Sequence, residues 1–278
     1  MSAKPDDFSF QNYVAYALYA PLYLAGPIIT FNDFTHQLRY RAPTITLNRT
    51  CLYSVRFLLC LFTMEFLLHF VYAVAICKAQ PVWEVYTPFQ VSMIGYFNLH
   101  IIWLKLLLPW RFFRTWSLID GIDPPENVVR CMSDNFSMLS FWRGWHRSFN
   151  QWIVRYIYVP LGGSARPGER RDSFWAKARA TVNLVAVFTF VALWHDINLR
   201  LLAWGWLVVL FVLPEFIGKW IFPKRKWETR PVAYRLLTGA GCVFNVLSLM
   251  VANLVGFAVG IDGFFDLIHG VVGSFRGM

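Results

Sequence analysis

The chain has 278 residues, 57% hydrophobic and only 15% charged, with a formal net charge of +10. Soluble domains carry about a quarter charged residues, so this composition, with a mean hydropathy of +0.44, argues against an ordinary water-soluble domain. The lysines and arginines sit in short connections between apolar blocks, which is the pattern of cytoplasmic loops and excludes nucleic acid as their partner.

The N-terminal MSAKPDDFSF lacks the basic-then-apolar order of a cleavable signal. After it come six segments near the roughly 20 apolar residues that a helix needs to cross a bilayer. The first, 13–31, is uncharged but interrupted by Pro21 and Gly26-Pro27. Residues 57–77 carry Glu65 and His69, and 89–108 carry Asn98, His100 and Lys105; these polar pairs read as groups that bond helices together. Three more segments follow at 180–197, 201–218 and 236–261, the last uncharged throughout.

Alternating six spans puts the connections 32–56, 109–179 and 219–235 on one side, where most of the basic residues then lie. The positive-inside rule makes that side the cytosol. The fold class expected is therefore all-α: a single polytopic membrane domain over 1–278 with about six transmembrane helices. The basic region 109–179 adds an amphipathic or re-entrant helix.

That helix is SFWRGWHRSFNQWIVRYIYVPLGG, residues 140–163. Read as one helix over 140–158, it has an apolar face of Trp142, Trp145, Phe149, Trp152, Ile153 and Tyr156. Arg143, His146, Arg147 and Asn150 line the other face. Aromatic rings beside arginines suit the headgroup boundary, so anchoring the loop there is one reading of the segment. His146 and Asn150, four residues apart, share a face and are able either to orient a reacting group or to satisfy each other.

His195 ends the apolar run NLVAVFTFVALW. An ionisable group inside a span is costly and reads as functional by default, and a neutral imidazole leaves a nitrogen able to accept a proton. The alternatives are a structural bond to a neighbouring helix, or an ion pair of Asp196 with Arg200. The cysteines Cys51, Cys60, Cys77, Cys131 and Cys242 are odd in number and scattered, with no CxxC, which supports neither a disulfide framework nor a zinc site. No Walker loop, GxGxxG, GxSxG or HExxH motif is present.

FWRGWHRSFNQWIVRYIYVPLGG followed by VFTFVALWHD resembles the membrane-bound O-acyltransferase (MBOAT) family. Its pattern is a WRxWH segment, a YxPLGG exit and a span ending in tryptophan-histidine. LAGPIITFNDF (24–34) and LLLPWRFFRTWSLIDGIDPPENVVRCM (106–132) resemble its fungal glycerol-uptake branch, which is similar to Hedgehog acyltransferase. The likeness runs from about residue 12 to about 261 and corresponds to the C-terminal half or so of a typical member. Where many members follow the catalytic pair with glycine, this chain has Asp196, as that branch does.

The resemblance implies that His195 is catalytic, with His146 as the second polar position. Trp194 and Asn150 would contact substrate, and Arg143, Arg147 and Arg155 would bind the phosphates of acyl-CoA, the co-substrate. It implies no metal or redox cofactor. The acceptor implied is a lipid hydroxyl among membrane lipids, most closely a glycosylphosphatidylinositol (GPI) anchor lipid remodelled in the endoplasmic reticulum. Acylation of a protein, glycerol transport and a non-catalytic role are the alternatives.

The orientation has a direct test. The sequons Asn48-Arg49-Thr50 and Asn135-Phe136-Ser137 fall on the cytosolic side and carry no glycan, so glycosidase treatment leaves electrophoretic mobility unchanged; a shift reverses the assignment.

Overall fold

The computed structural model describes residues 4–79, 82, 85–163, 173–258 and 260. The basic stretch 164–172 and the tail after Asp262 lie outside the described residues. All the regular elements among the described residues are helical, apart from one isolated antiparallel bridge between Val128 and Trp145.

The first apolar segment does not form one long helix. It divides into α1 (Phe10–Ala17), α2 (Ala20–Leu24), an extended run and α3 (Phe31–Arg39). Proline fixes its own backbone and lacks the amide a helix needs, so Pro27 cannot continue α2. Gly26 lies so close to the Pro21 carbonyl that a Cβ there would collide with it. Among the described residues, five helices are long and apolar enough to cross a membrane: α4 (Leu47–Phe70), α6 (Pro88–Asp120), α9 (Phe174–His195), α10 (Leu199–Ile221) and α11 (Pro231–Phe257). The shorter α5 (Ala73–Ala79), α7 (Met138–Gly144) and α8 (Arg147–Ile153) lie between them.

α6 is longer than its apolar stretch. Its 33 residues run through Pro109 to Asp120, about 50 Å at 1.5 Å per residue, against a hydrocarbon core of about 30 Å. With α9 starting at Phe174, the expected 109–179 connection shrinks to 121–173.

The chain divides into two compact units. One comprises Met1–Val71, Ile101–Cys131 and Trp142–Trp152; the other comprises Tyr72–His100, Met132–Phe141 and Ile153–Met278.

In the first unit, the polar end of α6 holds the loop that follows it. Arg111 and Arg114 are buried. Arg114 bonds Asp123 Oδ1 at 2.8 Å and Glu126 Oε2 at 3.4 Å, and its Nε donates to the Pro124 carbonyl at 2.9 Å. Arg49 of α4 meets Asp123 Oδ2 at 2.6 Å, and the Thr44 hydroxyl donates to the same oxygen at 2.7 Å. Asp123 N donates to Gln37 Oε1 at 2.7 Å. Burial pushes the Asp123 carboxyl up, but the bonds from Arg49 and Thr44 and the Arg114 charge outweigh it and hold its pKa below the ordinary carboxylate value.

In the second unit, α10 packs against both α9 and α11. Between lipid-embedded helices association rests on close packing rather than on removing apolar surface from water, and glycines allow that approach. A Cβ on Gly205 would stand 2.9 Å from the Phe188 carbonyl oxygen, and one on Gly256 would stand 2.7 Å from the Trp204 ring. Trp204 is 1% exposed. Glu215, inside α10, accepts from the Ser137 hydroxyl at 2.7 Å and from Leu139 N at 3.3 Å, so it secures the start of α7.

The packing predicts opposite signs for two Gly→Ala changes on α11. Gly241 faces open space, so Gly241→Ala is neutral or stabilising by up to about 1 kcal/mol from helix propensity. Gly256→Ala meets the rigid indole and loses about 1–2 kcal/mol net, overpacking exceeding that gain; thermal melts in detergent read both. The depressed Asp123 carboxyl contributes stability that is present above about pH 4 and lost as pH falls through its folded value. Asp123→Asn removes that acid dependence and costs on the order of 3 kcal/mol by leaving buried guanidinium charge underpaired, as melts between pH 3 and 6 will show.

Candidate functional site

The segment expected as one helix over 140–158 is interrupted twice. α7 ends at Gly144, α8 begins at Arg147, and Val154–Tyr158 is π-wound. At the first break His146 has φ 44°, the one positive φ on a non-glycine residue among the described residues. For an L-residue that conformation costs on the order of 1–3 kcal/mol and persists only when its surroundings enforce it; such residues cluster at active sites.

The enforcing partner is the loop 124–129. A continuous helix would bond the amides of Arg147 and Ser148 to the carbonyls of Arg143 and Gly144. Instead Arg147 N donates to the Asn127 carbonyl at 3.0 Å, and Ser148 N to Asn127 Oδ1 at 3.1 Å. The Gly144 carbonyl accepts from Val129 N at 3.2 Å. The Ser148 hydroxyl in turn accepts from Ile28 N at 2.9 Å, drawing in the extended run after α2.

The His146 ring is half-buried and stacked on two aromatic rings. Its centroid is 4.6 Å from that of Trp110 on α6 and 5.0 Å from that of Phe149, with interplanar angles of 25° and 30°. One turn along, the Asn150 backbone N–H donates to the His146 carbonyl at 2.9 Å. Arg143 and Arg147 are exposed on either side of the break, and Arg155 is exposed on the π turn in the second unit. No continuous helical face joins the three.

His195 is the last residue of α9. The sequence suggests a buried imidazole within a span; the structure puts it at the span's end, exposed, with Trp194 exposed beside it. One side of its ring meets aromatic edges, with centroids 5.7 Å from Trp204 and 5.6 Å from Phe257. A three-residue turn follows, in which Asn198 Oδ1 accepts from Arg200 N and so starts α10. Of the partners open to Arg200, the Gly256 carbonyl takes its Nε at 2.9 Å, tying the start of α10 to the end of α11 next to Phe257. The glycines of the PLGG exit have φ 93° and 56°; the carbonyls of Leu161 and Gly163 accept from the buried Asn183 Nδ2 of α9 at 3.3 and 2.7 Å.

Spacing alone did not pick out Asn127, Trp110, Asn183, Trp204 or Glu215. Glu215 carried a usable signal, a carboxylate inside an apolar span. Asn127 carried only the preceding Pro124-Pro125, which favours extended backbone. Among the described residues, no group of three or more His, Cys, Asp or Glu is placed to hold a metal ion.

The model of the membrane-bound O-acyltransferase family matches residues 2–232, a range that includes both histidines. The chain is 51% identical over 277 residues to membrane-bound O-acyltransferase GUP1 of Candida tropicalis, covering 98% of this chain and 44% of that protein. It is 54% identical over 257 residues to the GUP1 of Saccharomyces cerevisiae, covering 92% and 43%. Mouse protein-cysteine N-palmitoyltransferase HHAT is 25% identical over 217 residues, covering 77% and 42%. The chain thus spans less than half the length of these relatives. A family model matched across most of the chain, with relatives above 50% identity, shows that it belongs to the membrane-bound O-acyltransferase family.

Proposed function

We propose that this protein transfers a fatty acyl chain from acyl-CoA to a lipid hydroxyl, in the remodelling of GPI-anchor lipids in the endoplasmic reticulum. The observation that carries this reading is the family match over 2–232, which spans WRGWH and the Trp194-His195 pair. The relatives above 50% identity are named O-acyltransferases, whereas the one named an N-palmitoyltransferase is 25% identical; that difference favours a hydroxyl over an amine as the acceptor group.

In the proposed reaction the acceptor oxygen attacks the thioester carbonyl as His195, in its neutral form, takes the hydroxyl proton. The carbon–sulfur bond breaks, and the departing coenzyme A sulfur takes up a proton. His146 orients the acceptor or donates to the developing oxyanion; one such donor is worth about 3–4 kcal/mol in hydrolases. The exposed guanidiniums of Arg143, Arg147 and Arg155 suit phosphate groups. The apolar helices give the acyl chain a hydrocarbon surrounding.

His195→Ala abolishes acyl transfer from labelled acyl-CoA in membranes that contain the protein at unchanged abundance; retained transfer removes the assignment. Anchor-lipid profiling of the same variant, beside palmitate labelling of proteins, reads the acceptor. Changed anchor lipids with unchanged protein labelling support the GPI reading, and the reverse supports protein acylation.

A further inference from the structure

Asn127 is 1% exposed and is used twice on one short stretch of chain. Its carbonyl and its Oδ1 take the amides of Arg147 and Ser148 in succession, the two residues that follow the positive φ at His146. Those amides are also the donors that a continuous helix from α7 into α8 would satisfy within itself. The segment therefore has two ways to pair them: by its own carbonyls, with His146 in the ordinary helical region, or by Asn127, with His146 forced across to positive φ. A buried amide left without a partner costs about 1–3 kcal/mol, similar to the strain at His146. The side chain at 127 therefore weighs directly on which state is occupied.

We propose that Asn127 is a positioning residue for His146: by accepting the Ser148 amide it holds the α7–α8 segment broken and keeps the histidine ring stacked on Trp110. This rests on the reading of His146 as part of the acyl-transfer site. The loop that carries Asn127 does not move to suit the turn, because Arg114 grips it through the Pro124 carbonyl, Asp123 and Glu126. Without the Oδ1 acceptor, the Ser148 amide is satisfied most cheaply by continuing the helix. That returns His146 to negative φ and takes its ring off Trp110.

A double-mutant cycle in native membranes tests this, with Asn127→Leu, Asn127→Asp, His146→Ala and the Asn127→Leu/His146→Ala pair. Asn127→Leu is expected to lower kcat about tenfold with KM for acyl-CoA changed less than about twofold, as for a group acting in the transition state. Asn127→Asp, which keeps an acceptor oxygen, retains most of kcat. The pair is no slower than His146→Ala alone, because residues acting as one unit do not add. Carbethoxylation of His146 by diethylpyrocarbonate, mapped by mass spectrometry, reads the ring directly; Asn127→Leu accelerates it and Asn127→Asp does not.

Multiplicative losses in the pair, or wild-type kcat and labelling in Asn127→Leu, overturn the proposal. If Asn127→Leu fails to accumulate, Asn127→Asp decides: near-normal kcat and labelling uphold it, and lost kcat with unchanged labelling overturns it. Full activity of His146→Ala defeats the reading of His146 itself, separately from the labelling result, which still reports whether Asn127 holds the ring.

Discussion

The first unit depends on buried guanidinium groups at the end of α6 being neutralised by the loop that follows them. Arg111 and Arg114 are almost without solvent, and a buried charge is tolerable only when paired and hydrogen-bonded. Glu126 faces both, 3.4 Å from Arg114 and 3.7 Å from Arg111, whose Nη1 donates to Cys60 Sγ; Asp123 is shared by Arg114 and Arg49, and the Pro124 carbonyl accepts from Arg114 Nε. Such a network adds little net stability over an apolar core. What it provides is a definite geometry, since planar guanidiniums bonded to carboxylates leave little choice of where the loop lies.

That geometry is transmitted to His146. A loop with a fixed path presents Asn127 and Val129 as an edge to which the chain around Trp145 pairs. The pairing takes amides and a carbonyl out of the helix ladder, and the backbone strain collects at one residue. Pro109 lies one residue before Trp110, on which the histidine ring stacks. Ring and backbone are thus held from separate elements, α6 and the loop after it.

The second unit reaches definition by another route. Its helices have no hydrophobic gain to draw on in lipid, so glycines bring α9, α10 and α11 close, and Trp204 fills the space they leave. The edges of Trp204 and Phe257 then bear on His195 at the end of α9, while Arg200 ties the neighbouring helix end in place. Its buried polar side chains hold irregular segments: Asn183 the PLGG exit, Glu215 the start of α7. In apolar surroundings an unpaired carbonyl or amide is expensive, which is why polar residues inside these spans meet segments that cannot satisfy themselves.

Much of this was legible in the residues. Long uncharged runs, sparse charge and basic connections decide an all-helical membrane protein, because hydrocarbon tolerates few other backbone states. The tryptophan-histidine pair and the WRGWH segment mark both candidate residues. What the sequence did not decide by itself was whether a locally helical stretch stays helical. Residues 13–31 and 140–158 both have the composition of a helix, and both break. Pro21 and Pro27 announced the first break locally. The second comes from Asn127, some twenty residues away, and from Arg114 behind it, so no periodicity within 140–158 reveals it. Likewise the apolar run before His195 suggested a buried ring, and only the helix end at Asp196 put it at the edge. Local propensity and composition act within a few residues, whereas the conformation of His146 depends on hydrogen bonds between distant segments, and those exist only once the chain has folded.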